Sequence, residues 1–197
     1  MTPAPANSKA AIRAAIRARL QTVSPEQRSL TAAAACARLA ETTLWRQARR
    51  VLLYAPLPDE LDVWPVFALA QAAGKTVALP RFDAATQIYT AAIITNDARD
   101  LVLGPFGVRE PAPTCPGLPL NQLDLVLVPG VAFALDGSRL GRGKGFYDRL
   151  LASVRGTTCG VAHDEQIVAA VPVEPHDVRL NHILTPTRWQ LASPARF

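Results

Sequence analysis

The chain has 197 residues, 49% of them hydrophobic, and a formal net charge of +5 that comes almost wholly from arginine, since lysine stands only at positions 9, 75 and 144. That length suits one domain with a substantial core, and no apolar stretch approaches the ~18 residues of a membrane span, so neither a second core nor a membrane partner is expected. Cys36, Cys115 and Cys159, with the scattered His163, His176 and His182, have neither the pairing of a disulfide framework nor soft-metal spacing, and the dispersed arginines lack the interleaved aromatics of a single-strand binder, which leaves small anions as the partners that the charge suits.

Residues 1–7 lack an early positive cluster and an apolar run, so they read as a disordered tail rather than a signal peptide, and the cytoplasm is the expected compartment. Residues 8–20 set Ile12, Ile16 and Leu20 on one helical stripe, with Arg13, Arg17 and Arg19 elsewhere. Ser24-Pro25-Glu26-Gln27 combines an N-cap, a proline at the first helical position and a glutamine placed as in a capping box, so a second helix is expected to about Glu41.

VLLYAP (51–56) reads as a short buried strand, Asp62 as the cap of a helix through Val66, Ala70 and Ala73 ended by Gly74, and TVALP (76–80) as the next strand. This is a βαβ unit, and continuously apolar strands predict a parallel sheet covered on both faces. QIYTAAII (87–94) alternates, as an antiparallel edge strand does. Residues 104–122, rich in Pro and Gly, read as a long irregular connection of the kind that carries function. DLVLVP (124–129) is the clearest buried strand, followed by a Gly-rich loop, a helix from about Phe146 to Ser153, and last strands at TTCGVAH (157–163) and HILT (182–185). The expected fold is a single α/β domain over residues 8–197. It has three layers, two N-terminal helices and a mostly parallel open sheet flanked by helices.

The loop RLGRGKGFYD (139–148) carries the chemistry. Its glycines let backbone N–H groups turn inward, the following helix presents its N-terminal donors, and Arg139, Arg142 and Lys144 add cations, which together make an anion cradle. Asp148, one turn into the helix, is placed to hold a divalent cation bridging phosphates. A hairpin tip with solvated charges is the plain alternative, but it leaves the strand–loop–helix context unexplained. The spacing fits neither a Walker A loop nor GxGxxG.

LDLVLVPGVAF (123–133) followed by RLGRGKGFYDRLL (139–151) resembles the 5-formyltetrahydrofolate cyclo-ligase family, also called 5,10-methenyltetrahydrofolate synthetase. Weaker likenesses extend over nearly the whole chain: Lys9 to Arg13 as K-x-x-x-R, Tyr54 to Glu60, LPRF (79–82), Arg109-Glu110-Pro111, and VAHDEQIVAAVPVEPHDV (161–178). The resemblance implies ATP- and Mg²⁺-dependent closure of 5-formyltetrahydrofolate to 5,10-methenyltetrahydrofolate through a phosphorylated formyl oxygen. It implies a monomer whose partners are a reduced folate and ATP, without nucleic acid or membrane.

Carried over residue by residue, it assigns ATP to Lys9, Arg13 and the run Arg139, Leu140, Gly141, Arg142, Gly143, Lys144, Gly145, Phe146 and Tyr147. Arg142 and Lys144 take the catalytic role. The folate falls to Ala55, Glu60 and the loop from Arg142 through Phe146, and Mg²⁺ to Asp148 and Asp177. In that placement ATP lies toward Arg142 and Lys144, and the pterin toward Glu60. The chain departs from the family pattern at Ala134, Phe146, Asn181 and Pro186, where the family has Asp, Tyr, Asp and Glu, with Asp136 two residues from the first. These departures motivate two alternatives: a paralogue acting with ATP on another substrate, and a folate- or nucleotide-binding protein without turnover.

Overall fold

Ser8 opens helix α1 (Lys9–Gln21), its hydroxyl accepting from the Ala11 N–H at 3.1 Å. The computed structural model describes residues 8–193, so the tail expected over residues 1–7 lies outside it. Helix α2 (Pro25–Ala40) begins with the full capping box: the Ser24 hydroxyl accepts from the Gln27 N–H, and the Gln27 side chain accepts from the Ser24 N–H. A short helix α3 (Thr43–Gln47), which periodicity over so few residues does not reveal, is capped by Thr42 and buries Trp45.

Strand β1 (Arg50–Leu52), helix α4 (Trp64–Ala72) and strand β2 (Thr76–Asp83) form the expected parallel βαβ unit. Asp62 is not the cap of α4. The cap position falls a residue later, at Val63, and Asp62 Oδ1 accepts from the Trp64 N–H at 2.8 Å. Pro65 stands at the second helical position, within the first turn, where its missing N–H costs no intrahelical hydrogen bond.

Strand β3 (Ile88–Ile94) pairs antiparallel with β2. Strand β4 (Leu101–Leu103) follows, and the segment expected to be irregular holds β5 (Arg109–Pro111) and β6 (Gly117–Leu118); β4 and β5 pair with each other, and β6 adds outside β3, so β3 is not the edge. Strand β7 (Leu125–Val128) leads to a small hairpin of β8 (Ala132–Phe133) and β9 (Arg139–Leu140), then to helix α5 (Phe146–Leu151). Strands β10 (Thr157–Val161), β11 (His182–Leu184) and a further antiparallel strand β12 (Trp189–Leu191) complete the sheet.

The eight-stranded sheet runs β12-β11-β10-β7-β1-β2-β3-β6, and its centre, from β11 to β2, is parallel. Side-chain alternation divides its core. Val51, Leu125 and Leu127 face one way, onto Ala35, Leu39 and Trp45, while Leu52, Val126 and Val128 face the other, onto Leu150 and Leu151. Burying such a side chain contributes ~1.5–3 kcal/mol, and all four residues of β7 are buried, as a parallel strand covered on both faces requires. A third cluster packs Ile16 and Leu20 of α1 against Ala132, Ala134 and Leu140 of the hairpin. That contact fixes the N-terminal helix over the Gly-rich segment.

The starts of β7 and β10 approach so closely at Gly156 that a Cβ there would meet the Leu123 carbonyl oxygen and lie 2.7 Å from that of Asp124. Backbone carbonyls cannot swing aside. Gly156→Ala is therefore expected to lower stability by ~1–3 kcal/mol, the usual range for overpacking. The measurement is the midpoint of chemical denaturation; an unchanged midpoint contradicts the close approach.

Candidate active site

β1 and β7 are neighbours whose chain connections leave in opposite directions, β1 to β2 on one side and β7 to β10 on the other. In open α/β sheets the crevice beyond the carboxyl ends at such a switch point is where ligands bind. Here it is a cavity of about 570 Å³. Tyr54, Ala55, Leu57 and Glu60 enter it from the end of β1, and Pro129 and Gly130 from the end of β7. The segment after β1 is held in shape by the buried Tyr54 hydroxyl, which donates to the Leu61 carbonyl at 2.7 Å, and by Arg28 Nη1, which donates to the Pro58 carbonyl at 3.1 Å.

The Gly-rich loop forms the roof. Gly143 and Gly145 have φ of 101° and 63°, values that side-chain-bearing residues rarely adopt. Arg13 ties the loop to α1, its Nε donating to the Gly141 carbonyl at 3.0 Å. At the base, Arg139 is 4% exposed and its Nη2 pairs with Asp148 Oδ1 at 2.8 Å. Removing one partner of so buried a pair strands a charge, so this pair holds the loop to α5. Arg142 bridges to the segment after β1: Nη2 lies 2.5 Å from Asp59 Oδ1 and 3.2 Å from Glu60 Oε1. Lys144 Nζ sits 3.9 Å above the Phe106 ring.

At the entrance from α1, Lys9 Nζ lies 2.7 Å from Glu174 Oε1 and 3.4 Å from Asp177 Oδ2. The Glu174 contact holds the lysine above its ordinary range. Burial pushes Asp177 up, but the Glu174 N–H and the Lys9 charge outweigh it and hold the carboxyl below the usual value of 3.8. Burial raises Glu60 despite the Leu57 N–H and Arg142, so this 7% exposed carboxylate depends on having a donor partner. The far wall is aromatic: Phe146 meets Phe82, Tyr89 and Phe106 with ring centroids 5.2–5.4 Å apart. Beside it, buried Glu110 accepts from the Phe82 N–H at 2.9 Å and the Tyr89 hydroxyl at 3.3 Å.

The cavity brings together every residue singled out in the sequence: Lys9, Arg13, Ala55, Glu60, the run from Arg139 to Asp148, and Asp177. It also takes Tyr89, Phe106, Glu110, Glu174 and His176, which motif reasoning did not select as site residues. Arg109-Glu110-Pro111 and the Pro- and Gly-rich connection around Phe106 were the available signals. The division of the cleft into a nucleotide end at Arg142 and a pterin end at Glu60 is less clean than expected, because these two side chains touch.

Three of the four departures from the family pattern, Ala134, Asn181 and Pro186, lie outside the cavity lining. Ala134 packs beneath α1, Asn181 accepts from the Thr158 N–H and hydroxyl at 2.8 and 3.0 Å, and the Pro186 carbonyl accepts from Arg38. Asp136 binds its own turn at Ser138 and pairs with Arg179 at 2.5 Å. Phe146 alone among the departures is in the cleft, at the centre of its aromatic wall. No helix among the described residues is long and apolar enough to cross a membrane.

Fold and site define the class: a doubly wound α/β domain with a cation-lined cleft at its switch point. The chain belongs to the 5-formyltetrahydrofolate cyclo-ligase family of enzymes, whose model matches residues 5–186. It is 33% identical to 5-formyltetrahydrofolate cyclo-ligase of Escherichia coli strain K12 over 183 residues, covering 89% of this chain and 99% of that one. A Mycolicibacterium smegmatis 5-formyltetrahydrofolate cyclo-ligase is 44% identical over 97 residues, 47% of this chain and about half (49%) of that protein's length. The NMR structure of Aquifex aeolicus 5,10-methenyltetrahydrofolate synthetase superposes with a TM-score of 0.84 at 28% identity, over 96% of this chain and 95% of that one.

The Asp177 site generates a test by titration. Its pKa is depressed in the folded chain, so the stability it contributes is complete above 3.8 and is lost as pH falls through the depressed value. Carbon NMR of the Asp177 carboxyl should give a midpoint below 3.8, and Lys9→Met should move it upward. A midpoint unmoved by that substitution contradicts the ion pair.

Proposed function

We propose that the chain closes 5-formyltetrahydrofolate to 5,10-methenyltetrahydrofolate, with ATP as phosphoryl donor and Mg²⁺ as its counter-ion, releasing ADP and phosphate. What supports this most is the convergence of Lys9, Arg13, Arg139, Arg142 and Lys144 with Glu60 and an aromatic wall in a single cleft. A triphosphate needs the cations, and a flat, donor-bearing pterin suits the carboxylate and the rings.

The formyl oxygen is a poor leaving group, so direct expulsion by N10 is slow. Transfer of the γ-phosphoryl breaks its bond to ADP and forms a bond to the formyl oxygen. The N10 lone pair then attacks the formyl carbon, the carbon–oxygen bond breaks, inorganic phosphate departs, and N10 loses its proton. The chain's residues position and neutralise, as in other phosphoryl transfers. Arg142 and Lys144 carry cations on a glycine-flanked loop that can close over the transferring group, Lys9 and Arg13 hold phosphate oxygens from α1, and Glu60 accepts from the pterin.

Asp148 and Asp177 fit Mg²⁺ as a partner. Both are hard carboxylate donors on the same cavity, and no group of three or more His, Cys, Asp or Glu side chains gathers as a metal site among the described residues. That sparse donor set suits an ion that keeps waters and phosphate oxygens as its other ligands. Asp148 and Asp177 would hold the ion, which would supply neutralisation of phosphate charge.

The experiment is the appearance of near-ultraviolet methenyltetrahydrofolate absorbance from 5-formyltetrahydrofolate, dependent on both ATP and Mg²⁺. No product under these conditions overturns the proposal. Lys144→Ala should cut turnover on the order of 10²-fold with little loss of stability, and full activity in that variant overturns the role of the loop. Asp148→Asn should raise the Mg²⁺ needed for half activity. Because it also leaves buried Arg139 without its carboxylate, its ligand-independent thermal midpoint should fall further than that of Asp177→Asn, whose partner Lys9 is more exposed.

A further inference from the structure

Arg142 is bound by two adjacent carboxylates. Its Nη2 donates to Asp59 Oδ1 at 2.5 Å and to Glu60 Oε1 at 3.2 Å, and its Nε faces Glu60 Oε1 at 3.4 Å. The two acids differ in setting. Glu60 is 7% exposed and lines the cleft, whereas Asp59 is 44% exposed and is not among the lining residues. The pair presents oxygens to the guanidinium much as a phosphate does. Its other carboxylate oxygen, Glu60 Oε2, is already taken by the Leu57 N–H at 3.0 Å. Oε1 accepts from both Nε and Nη2 of Arg142, so a donor that arrives at this oxygen competes with the arginine.

We propose that Asp59 is a positioning residue that, together with Glu60, docks Arg142 away from the nucleotide, and that a folate arriving at Glu60 releases Arg142 to the phosphates. The inference rests on the activity proposed above. Burial makes the Glu60 charge dependent on a donor, and a pterin's amino and ring N–H groups replace the guanidinium in that role. Arg142 then loses one of its two acceptors. What remains is a half-exposed pair with Asp59, and such pairs are weak enough to exchange readily. Gly141 and Gly143 flank Arg142, and Gly143 has φ of 101°, so the arginine can swing without straining a side-chain-bearing neighbour. The consequence is positive coupling: each ligand favours the loop position that the other requires, and the enhancement is reciprocal.

The test is calorimetric titration of a non-hydrolysable ATP analogue with Mg²⁺, with and without saturating 5-formyltetrahydrofolate. In the wild-type chain folate should tighten analogue binding on the order of tenfold, within the usual span of coupling between sites. Arg142→Gln should weaken analogue binding and abolish the enhancement. Asp59→Asn should tighten analogue binding several-fold in the chain with Arg142 and leave it unchanged in the Arg142→Gln background. A through-space charge effect of Asp59 would persist in both backgrounds, so that result overturns the docking role. Independent binding of the two ligands to the wild-type chain overturns the coupling and leaves the proposed activity standing. Failure of either ligand to bind the wild-type chain overturns both. Asp59→Ala repeats the measurement without the amide, and the thermal midpoint of each variant identifies any that is misfolded.

Discussion

Val51 and Leu52 of β1 lie beside Leu125 and Val126 of β7 in parallel register, and the cleft depends on that pairing. Both strands are buried on both faces, so neither can shift by a residue without sending its apolar side chains to the wrong layer. With the pairing fixed, the carboxyl ends of the two strands stand side by side. Each then releases a segment that cannot continue in the sheet, Tyr54 to Glu60 from one and Pro129 to Lys144 from the other. Because the chain leaves these neighbours in opposite directions, no helix fills the space between their ends.

The charges of this cleft are largely balanced from within. Arg139 has Asp148, Arg142 has Asp59 and Glu60, and Lys9 has Glu174 and Asp177. Among the described residues Lys144 is without an acidic partner and rests on Phe106. These pairings differ in what they can do. The Arg139–Asp148 pair is deep and holds architecture, since opening it exposes a guanidinium to an apolar surrounding. Those of Arg142 and Lys9 are partly exposed, so an anionic ligand can exchange with the carboxylates at modest cost. The same cleft thus has a rigid floor and cations at its rim that can change partners.

The aromatic wall adds a surface of another kind. Phe146 occupies its centre where a second loop tyrosine would be the family's choice, and it packs against Phe82, Tyr89 and Phe106 from three different segments. Through Phe146 the first turn of α5 is anchored in the same apolar cluster over which Lys144 lies. The loop is therefore fixed at its base by Arg139 and at its exit by Phe146, while its middle is made of glycine and cations.

Much of this was legible along the chain, for local reasons. Ser24-Pro25-Glu26-Gln27 reads as a helix start because capping involves only neighbouring groups, and LVLV in β7 reads as a buried parallel strand because nothing polar interrupts it. The Gly-rich loop, with its cations between a strand and a helix, marked itself out as a candidate anion cradle, and it lines the cavity. Strands β4 to β6 and α3 were hidden, since they are too short for periodicity and exist through partners distant in sequence. The same holds for Tyr89, Phe106 and Glu110, whose place in the cleft depends on β2, β3 and β5 folding alongside one another. By itself the sequence determined which segments could be helix, strand and anion-binding loop, because those properties reside in near neighbours. Only the tertiary structure decided that Arg142 meets Asp59 and Glu60, residues more than eighty positions away, since that contact follows from the parallel pairing of two strands whose ends the sheet sets side by side.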